Sequence, residues 1–232
     1  MKSKKKMAKN ICLYTLLILL IVCFISIYYY VINNNGLYDF TPIDRTVYDY
    51  VISNVLIDKN IFIYISYFGK EIIIGFSLIL ILFNLIYMKF KNIENKKLYL
   101  ANTIMPAVAA LGVYLLNDVF KNCVQRYRPL VSTIVTERSY SFPSGHSATS
   151  AAFYFMLLII ICKLLNNYID NNNDRKRIIF AKVLKIISLI IIPLMPFLIA
   201  FARIALGVHY FTDVVCGLIF GSIIFIILYK IY

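Results

Sequence analysis

The sequence predicts an all-α integral membrane protein whose six transmembrane helices form a bundle. The chain of 232 residues is 61% hydrophobic and only 15% charged, and its mean hydropathy of +0.79 is not that of a soluble domain. Six apolar runs each approach the ~20 residues that a helix needs to cross ~30 Å of hydrocarbon. These runs do not alternate in polarity, which excludes the strands of an outer-membrane barrel.

The six spans are predicted to form a single membrane domain that covers residues 1–232. Their predicted bounds are 11–32, 71–88, 98–120, 147–165, 178–201 and 211–229. The first run follows five lysines, as the core of a secretory signal peptide would. Its apolar core is too long for that, and no small-x-small cleavage site follows Tyr28-Tyr29-Tyr30. We therefore expect a retained first span.

Between the first two spans, residues 36–69 predict an amphipathic helix that lies in the membrane interface. Its apolar positions recur at helical spacing, and charged residues stand between them. The apolar positions are Ile43, Val47, Tyr50, Val51 and Val55, and the charged positions are Asp44, Arg45, Asp49 and Asp58. A second apolar stretch, 61–68, is too short to span the membrane. Both pieces could border a lateral entrance for a lipid, or simply pack over the ends of the spans.

The distribution of basic residues orients the spans. Sixteen of the 24 Lys and Arg residues fall on the side that holds both ends of the chain, and eight fall on the other side. We therefore expect both termini to be cytoplasmic. The acidic residues divide three inside and eight outside, so the whole excess of +13 lies on the cytoplasmic side, where anionic lipids attract it. Nucleic acid is not needed to explain this charge, and no nucleic-acid motif accompanies it.

Three polar clusters at the outer ends of the spans carry the chemistry. In the first, Lys121 and Arg128 are seven residues apart, which predicts that they share one face of a helix that stops before Pro129. A lysine charge and a planar guanidinium suit a tetrahedral oxyanion. Standing alone, this pair would be read as two snorkelling cations at the membrane edge.

The second cluster, Pro143-Ser144-Gly145-His146, opens the fourth span. Ser144 is placed as a helix N-cap, and Gly145 lets the backbone approach a ligand closely. The exposed amides and the positive end of the helix dipole favour an anion there. A bare cap needs no histidine, so we expect His146 to donate a proton to a leaving oxygen.

In the third cluster, His209 and Asp213 are four residues apart at the start of the sixth span, and Arg203 ends the fifth. A carboxylate at this spacing can hold one imidazole nitrogen and leave the other free as nucleophile or base. Either histidine alone would be read as a stray residue with local partners. A metal site is the alternative for the pair, but the surrounding cations would repel a divalent metal and the cysteines show no ligand spacing. We expect no metal and no cofactor.

Together, the three clusters suit phosphoryl transfer through a phosphohistidine better than acyl transfer, because anion-binding groups dominate and no serine or cysteine nucleophile is recognisable. They resemble the motifs of the type 2 phosphatidic acid phosphatase superfamily of membrane lipid phosphatases: K-x6-R-P, P-S-G-H and S-R-x5-H-x3-D. The first two stand intact at 121–129 and 143–146. The third runs from 202 to 213, with Ala202 in the place of the serine.

The resemblance implies a role for each matching residue. His209 attacks phosphorus, and Asp213 orients the imidazole ring of His209. His146 protonates the leaving oxygen and then activates water. The phosphate oxygens are held by Lys121, Arg128, Ser144, Gly145 and Arg203. Ala202 removes one hydroxyl, worth about 1.5–3 kcal/mol if it makes a charge-assisted hydrogen bond, although the backbone amide at this position could supply part of the contact.

The resulting hypothesis is a lipid phosphatase whose active site faces the outer leaflet. A polyprenyl (undecaprenyl) diphosphate is the first substrate predicted, with phosphatidate and phosphatidylglycerophosphate as alternatives, and transfer to another lipid as a variant. The alternative hypothesis from a different functional class is a non-catalytic, lipid-binding homologue, and Ala202 is the only residue that supports it. A transporter would need polar residues deep in several spans, where Asn84 and Asp118 are the few candidates. The sequence does not indicate an oligomeric state.

Overall fold

The computed structural model of the protein describes residues 2–55, 57–90, 96–129 and 137–232. Within these ranges the regular structure consists of helices, as the sequence predicts. In chain order they are α1 (Lys2–Asn33), α2 (Pro42–Asn54), α3 (Lys59–Tyr67), α4 (Glu71–Phe90), α5 (Lys96–Val124), α6 (Gly145–Asp170), α7 (Arg175–Ala205) and α8 (Phe211–Ile231). The predicted all-α fold is therefore confirmed.

Six stretches in the described part of the chain are long and apolar enough to cross a membrane. They are Asn10–Asn33, Lys59–Lys89, Thr103–Val124, Gly145–Asp170, Arg175–Ala205 and Phe211–Ile231. Each contains the bulk of one predicted span, so the chain is a multi-pass membrane protein. The described residues do not include Lys91 and Glu94, which are predicted to lie on the cytoplasmic side. They also do not include residues 130–136, which are predicted to lie on the outer side.

Two short helices, α2 and α3, lie between α1 and α4, and α3 falls within the apolar stretch Lys59–Lys89 that also contains most of α4. The helix predicted here is present as α2, and Val51 is buried on its inner face. Asp44, one of its charged positions, is 1% exposed, whereas the apolar side chains of Ile43 and Tyr50 are exposed on the protein surface. Asp44 is buried because it pairs with Arg126 of a distant loop, a contact that helical periodicity does not reveal. Both helices pack against α7, and α2 also contacts α8.

Helix α6 lies at the centre of the bundle and packs against α5, α7 and α8. Two glycines of α8 make its contact with α6 unusually close. A Cβ atom at Gly221 would lie 2.2 Å from the carbonyl oxygen of Ala148, and one at Gly217 would lie 2.5 Å from that of Ser144. Small residues at this spacing let membrane helices approach. The starts of α6 and α8 are therefore adjacent, and the amide of Ser144 donates to the carbonyl of Asp213 at 3.0 Å.

A tight turn between α7 and α8 completes this end of the bundle. Gly207 adopts a φ of 66°, a conformation that glycine accepts without steric cost, and the amide of Val208 donates to the carbonyl of Arg203 at 3.3 Å. The end of α7 and the start of α8 thereby meet. At the opposite end of the bundle, Lys230 Nζ donates to Asn10 Oδ1 at 2.8 Å, which joins the last turn of α8 to α1.

Candidate active site

A polar cavity of about 200 Å³ lies where α5 and α7 end and α6 and α8 begin. Five of the eight predicted site residues line it, namely Lys121, Arg128, Gly145, His146 and His209. The remaining three, Ser144, Arg203 and Asp213, are buried next to lining residues. The structure thus brings together all three clusters that the sequence predicts, although they are spread over more than 90 residues.

His209 precedes the first turn of α8 instead of lying within it, because Tyr210 is the N-cap of that helix. Its Nδ1 atom is 3.2 Å from Asp213 Oδ2, and its Nε2 atom is 3.1 Å from Arg128 Nη1. Because arginine can only donate, Nε2 accepts, and the ring proton is assigned to Nδ1. Burial lowers the pKa of His209 well below its usual range, and the cations Arg128, Arg203 and Lys121 lower it further. The imidazole is therefore neutral at pH 7.

Arg128 does not share a helical face with Lys121, contrary to the prediction. Helix α5 ends at Val124, and Gln125 takes a φ of 55°. The chain beyond it is extended because its backbone bonds to other loops: the amide of Tyr127 donates to Leu37 O at 2.9 Å, and Arg126 O accepts from Ser141 N at 2.8 Å. Sequence spacing alone could not show these tertiary partners.

Both cations nevertheless reach the cavity, and Ser139 contacts each of them. Lys121 Nζ donates to Ser139 Oγ at 3.0 Å, and Arg128 Nε donates to the carbonyl of Ser139 at 2.7 Å. Arg128 Nη1 also donates to the carbonyl of Val208 at 2.8 Å. These contacts hold the guanidinium beside His209, with its charge available to an anion.

Ser144 is the N-cap of α6, as predicted, and accepts a long hydrogen bond of 3.5 Å from the amide of Ser147. Its hydroxyl also accepts from Ser147 Oγ at 3.0 Å, inside the first turn of the helix. His146 follows in that turn and is buried, with its ring beside the cavity. The positive end of the α6 dipole therefore faces the same space as His209.

Comparison with known proteins gives the family. A family model described as "PAP2 superfamily" matches residues 102–232, more than half of the chain. The chain belongs to the PAP2 superfamily. The resemblance stated from the three motifs is confirmed, and all eight predicted site residues fall within the matched PAP2 region.

Two Bacillus subtilis proteins illustrate the relationship to other PAP2 members. Phosphatidylglycerophosphatase B of strain 168 is 32% identical over 111 residues, which are 48% of this chain and 48% of that protein. The alignment thus spans about half of the relative's length. A crystal structure of a transmembrane PAP2 type phosphatidylglycerolphosphate phosphatase matches with a TM-score of 0.67, over 93% of this chain and 94% of that chain, at 22% identity. This similarity shows a shared fold.

Glu137 is a residue of the PAP2 cavity that the sequence did not reveal. It accepts a short hydrogen bond from Arg203 Nη2, and its Oε2 atom is 3.7 Å from Arg128 Nη2. Burial alone would raise the pKa of Glu137, but the two guanidiniums outweigh it and lower the pKa to about 2. An ionised carboxylate thus lies between two arginines that are predicted to bind phosphate.

Glu71, at the start of α4, is a second residue that the sequence did not reveal; it contacts the cavity residue His146 and lies outside the region matched by the PAP2 model. Its two carboxylate oxygens are 3.1 and 3.2 Å from Nε2 of His146. The turn before it approaches α6 closely, because a Cβ atom at Gly69 would lie 3.2 Å from that of His146. A carboxylate therefore faces the imidazole nitrogen that is predicted to deliver a proton.

Arg126 is the third residue that sequence reasoning missed. It is completely buried and donates from Nη1 to Asp213 Oδ1 at 2.6 Å. Its only signal in the sequence is a third basic side chain between the Lys and the Arg-Pro of the first PAP2 motif.

Unpaired polar atoms also mark the cavity. Asn117 Oδ1, Thr149 Oγ1 and Arg203 Nε are buried atoms of the described chain that have no hydrogen-bond partner, and both Asn117 and Thr149 line the cavity. Buried polar groups are normally satisfied, so these atoms indicate a site built for a polar ligand. No grouping of three His, Cys, Asp or Glu side chains suited to a metal occurs among the described residues; independence from metal stays a prediction.

Two further expectations concern residues outside the cavity. Ala202 packs in an apolar cluster with Leu206 and Val208, and its amide lies within the hydrogen-bond ladder of α7. This amide is thus not free to replace the missing serine hydroxyl as a phosphate ligand.

Asn84 is one of the polar residues that a transporter would need within its spans. It donates to Leu80 O at 2.8 Å and accepts from Thr103 at 2.9 Å. The contact with Thr103 joins α4 to α5, which accounts for Asn84 without a transport path.

Proposed function

We propose that this PAP2 protein is a lipid phosphatase that works through a phosphohistidine intermediate. The observation that carries the proposal is the geometry of His209. Its neutral ring is held by Asp213 on one side, and its Nε2 lone pair lies next to Arg128 in a polar cavity. We further propose that residues 1–232 act as one domain, because α1 packs against α8 and α4 supplies Glu71 to His146.

In the first half of the reaction, Nε2 of His209 attacks phosphorus and the bond from phosphorus to the lipid oxygen breaks. His146, in its imidazolium form, gives its Nε2 proton to that oxygen and becomes a neutral imidazole, so that the lipid leaves as an alcohol. Asp213 stabilises the ring as it gains positive charge. Lys121, Arg128 and Arg203 surround the transferred oxygens, where preorganised cations lower the barrier most. The amides of Gly145 and its neighbours at the start of α6 add to this stabilisation.

In the second half, the same groups act in reverse. His146, now without its proton, accepts one from water, and the resulting hydroxide attacks the phosphorus of phosphohistidine. The bond from phosphorus to Nε2 breaks, inorganic phosphate leaves, and His209 regains its lone pair. The carboxylate of Glu71, which faces Nε2 in the free protein, favours the imidazolium form of His146 that gives the proton.

The size of the cavity limits what part of the substrate enters it. Its volume of about 200 Å³ is below the about 300–1,000 Å³ of pockets that enclose a drug-sized ligand. We infer that only the phosphate headgroup enters and that the lipid chains stay in the bilayer. The names of both compared proteins favour a phosphatidylglycerophosphate-type monoester as the substrate. The polyprenyl diphosphate predicted first from the sequence has no support from them and becomes the second candidate.

We propose that the site faces the extracytoplasmic side and that both termini are cytoplasmic. The basic residues support this orientation through the positive-inside rule. The contact of Lys230 with Asn10 supports a common side for both ends of the chain, opposite to the cavity. A green fluorescent protein fused to the C-terminus should fluoresce and resist external protease; a protease-sensitive fusion in sealed cells would overturn the orientation.

The experiment that tests the activity is phosphate release by protein purified in detergent, with EDTA present. The panel contains phosphatidylglycerophosphate, phosphatidate and a polyprenyl diphosphate, each assayed with wild type, His209→Ala and the control Lys176→Ala. Lys176 is exposed at the other end of α7, so its variant should keep full activity. We expect release from the first lipid to be fastest and to vanish only in His209→Ala.

Other results would change specific parts of the proposal. Release that persists in His209→Ala would exclude this residue as the nucleophile. Release that requires added metal would exclude the metal-independent mechanism. No release from any lipid by well-folded wild type would favour the non-catalytic, lipid-binding reading.

A further inference from the structure

We propose that Arg126 is a positioning residue that holds Asp213 in place for His209 and makes helix α2 part of the active-site support. The inference rests on the proposed function, because it concerns how the nucleophile is oriented. Arg126 has no exposed surface and does not line the cavity. It cannot touch a phosphate, which separates its role from that of Arg128 two residues later.

The guanidinium of Arg126 has four different partners. Nη1 donates to Asp213 Oδ1 at 2.6 Å and to Thr212 Oγ1 at 2.7 Å. Nη2 donates to Asp44 Oδ2 at 2.7 Å, and Nε donates to the carbonyl of Gly36 at 2.5 Å. The fork thus joins the loop after α1, helix α2 and the start of α8. A lysine could not reproduce this arrangement, because a single ammonium cannot span partners on three segments.

Asp213 depends on this contact for its orientation. Its Oδ2 atom accepts from the amide of Tyr210 at 3.0 Å and faces His209 Nδ1. Its Oδ1 atom accepts from Arg126. With both oxygens engaged, the carboxylate plane is fixed, and the lone pair that meets His209 is defined. Without the guanidinium, Oδ1 would be a buried anionic oxygen with that donor missing, and rotation or protonation would release His209.

Asp44 completes the network from the other side. Its Oδ1 atom accepts from the amide of Thr212 at 2.9 Å, and its Oδ2 atom accepts from Thr41 Oγ1 at 2.7 Å. Burial opposes the charge of Arg126, but the carboxylates of Asp213 and Asp44 outweigh it and raise the pKa of Arg126. The ring of Tyr210 covers the guanidinium at 3.9 Å. The permanently charged group is therefore enclosed by two carboxylates and one aromatic face.

A charge-balanced pair of variants separates positioning from simple neutralisation. The network has two carboxylates and one guanidinium, and the double variant Arg126→Gln with Asp44→Asn has one carboxylate, so both carry the same net charge of −1. If Arg126 merely neutralises Asp44, the double variant keeps the wild-type kcat, a result that overturns the proposal. If it positions Asp213, kcat falls on the order of a hundredfold, less than the about 10⁴ lost when a triad carboxylate itself is neutralised.

The KM value and the state of the ring distinguish positioning from a general loss of structure. Because Lys121, Arg128 and Arg203 remain, we expect KM to stay within about threefold of wild type. In protein labelled with ¹⁵N-histidine, the wild-type ring of His209 should give the Nδ1–H tautomer, and the double variant a mixture of tautomers. The chain has only two histidines, so His146→Gln assigns the signals. A double variant with an unchanged His209 tautomer contradicts the proposal.

Arg126→Lys decides the question if the double variant does not fold. It keeps the positive charge but not the fork, and we expect the same loss of kcat with KM nearly unchanged. A kcat within about threefold of wild type would overturn the inference. If wild-type protein itself forms no phosphoenzyme, the proposed function fails instead, and the tautomer measurement alone still tests whether Arg126 fixes the ring.

Discussion

Arg128 donates a hydrogen bond from Nη1 to Nε2 of His209, with 3.1 Å between the two nitrogens. The nitrogen that is proposed to attack phosphorus is therefore engaged in the free protein by a group that is proposed to bind phosphate. An incoming phosphate would draw the guanidinium onto its own oxygens and release the lone pair. Substrate binding and activation of the nucleophile are thus linked through one side chain.

This relationship predicts that Arg128→Lys is severely impaired. The lysine keeps a positive charge but loses the planar fork that contacts Ser139, Val208 and His209. We expect kcat/KM to fall on the order of 10²–10³, the loss typical of removing one preorganised oxyanion donor. Steady-state phosphate release measures it, with Lys176→Ala as the control. A loss smaller than about threefold would show that charge alone suffices.

The lowered pKa of His209 predicts a specific dependence of stability on pH. In the unfolded chain the ring takes up a proton as the pH falls below its ordinary pKa of about 6.5. In the folded protein burial lowers this pKa, so the ring stays neutral. Stability should therefore fall as the pH drops below about 6.5, by at most about 1.4 kcal/mol per pH unit from this group. Thermal unfolding in detergent from pH 7 to 5 should show a steeper decline for wild type than for His209→Gln. Parallel curves would contradict a buried neutral ring.

Glu137 predicts that the cavity already contains a competitor for phosphate. Its carboxylate pairs with Arg203 and lies near Arg128, so an anion must displace it or share its cations. Glu137→Gln should bind inorganic phosphate more tightly, on the order of tenfold, or about 1.4 kcal/mol. Competitive inhibition by phosphate gives the constant. The control Asp39→Asn removes an equal charge at an exposed position and should leave it unchanged; equal effects in both variants would indicate only a long-range field.

Glu71 predicts a defect that depends on the leaving group. It faces the His146 nitrogen that is proposed to protonate the leaving oxygen. In single turnovers, Glu71→Gln should slow phosphoenzyme formation from a lipid phosphate about tenfold, less than the about 10²–10⁴ that a whole general acid supplies. Formation from p-nitrophenyl phosphate, whose leaving group needs no proton, should change little. Equal slowing with both substrates would assign Glu71 to structure alone.

The sequence predicted the parts of the site that lie close together along the chain. The Ser144 cap and the pairing of His209 with Asp213 follow from spacings of three and four residues, and the helices follow from apolar runs of membrane length. The partners that complete the site come from distant segments. Glu71 is 75 residues from His146, and Glu137 is 66 residues from Arg203. No local pattern connects such pairs.

Arg126 and Asp44 show a second limit of sequence reasoning. Between Lys121 and Pro129 the chain offers two arginines, and composition does not tell which one is buried. Asp44 stands on a helix whose periodicity places it among polar, outward-facing residues. The two are buried as an ion pair at 2.7 Å, and a buried charge is tolerated when it is paired. Mutual burial of this kind becomes visible only when the tertiary structure is known.

The most direct test of the central claim is detection of phosphate on His209 after rapid mixing with ³²P-labelled lipid phosphate. We predict a phosphoenzyme that is labile to acid and stable to alkali and that mass spectrometry locates on His209. It should accumulate in His146→Gln when ³²P-labelled p-nitrophenyl phosphate is the substrate, because its leaving group needs no proton and this variant cannot activate water. His209→Ala should carry no label. Phosphate release by wild type without any phosphoenzyme, even in His146→Gln, would contradict the account and indicate direct attack by water.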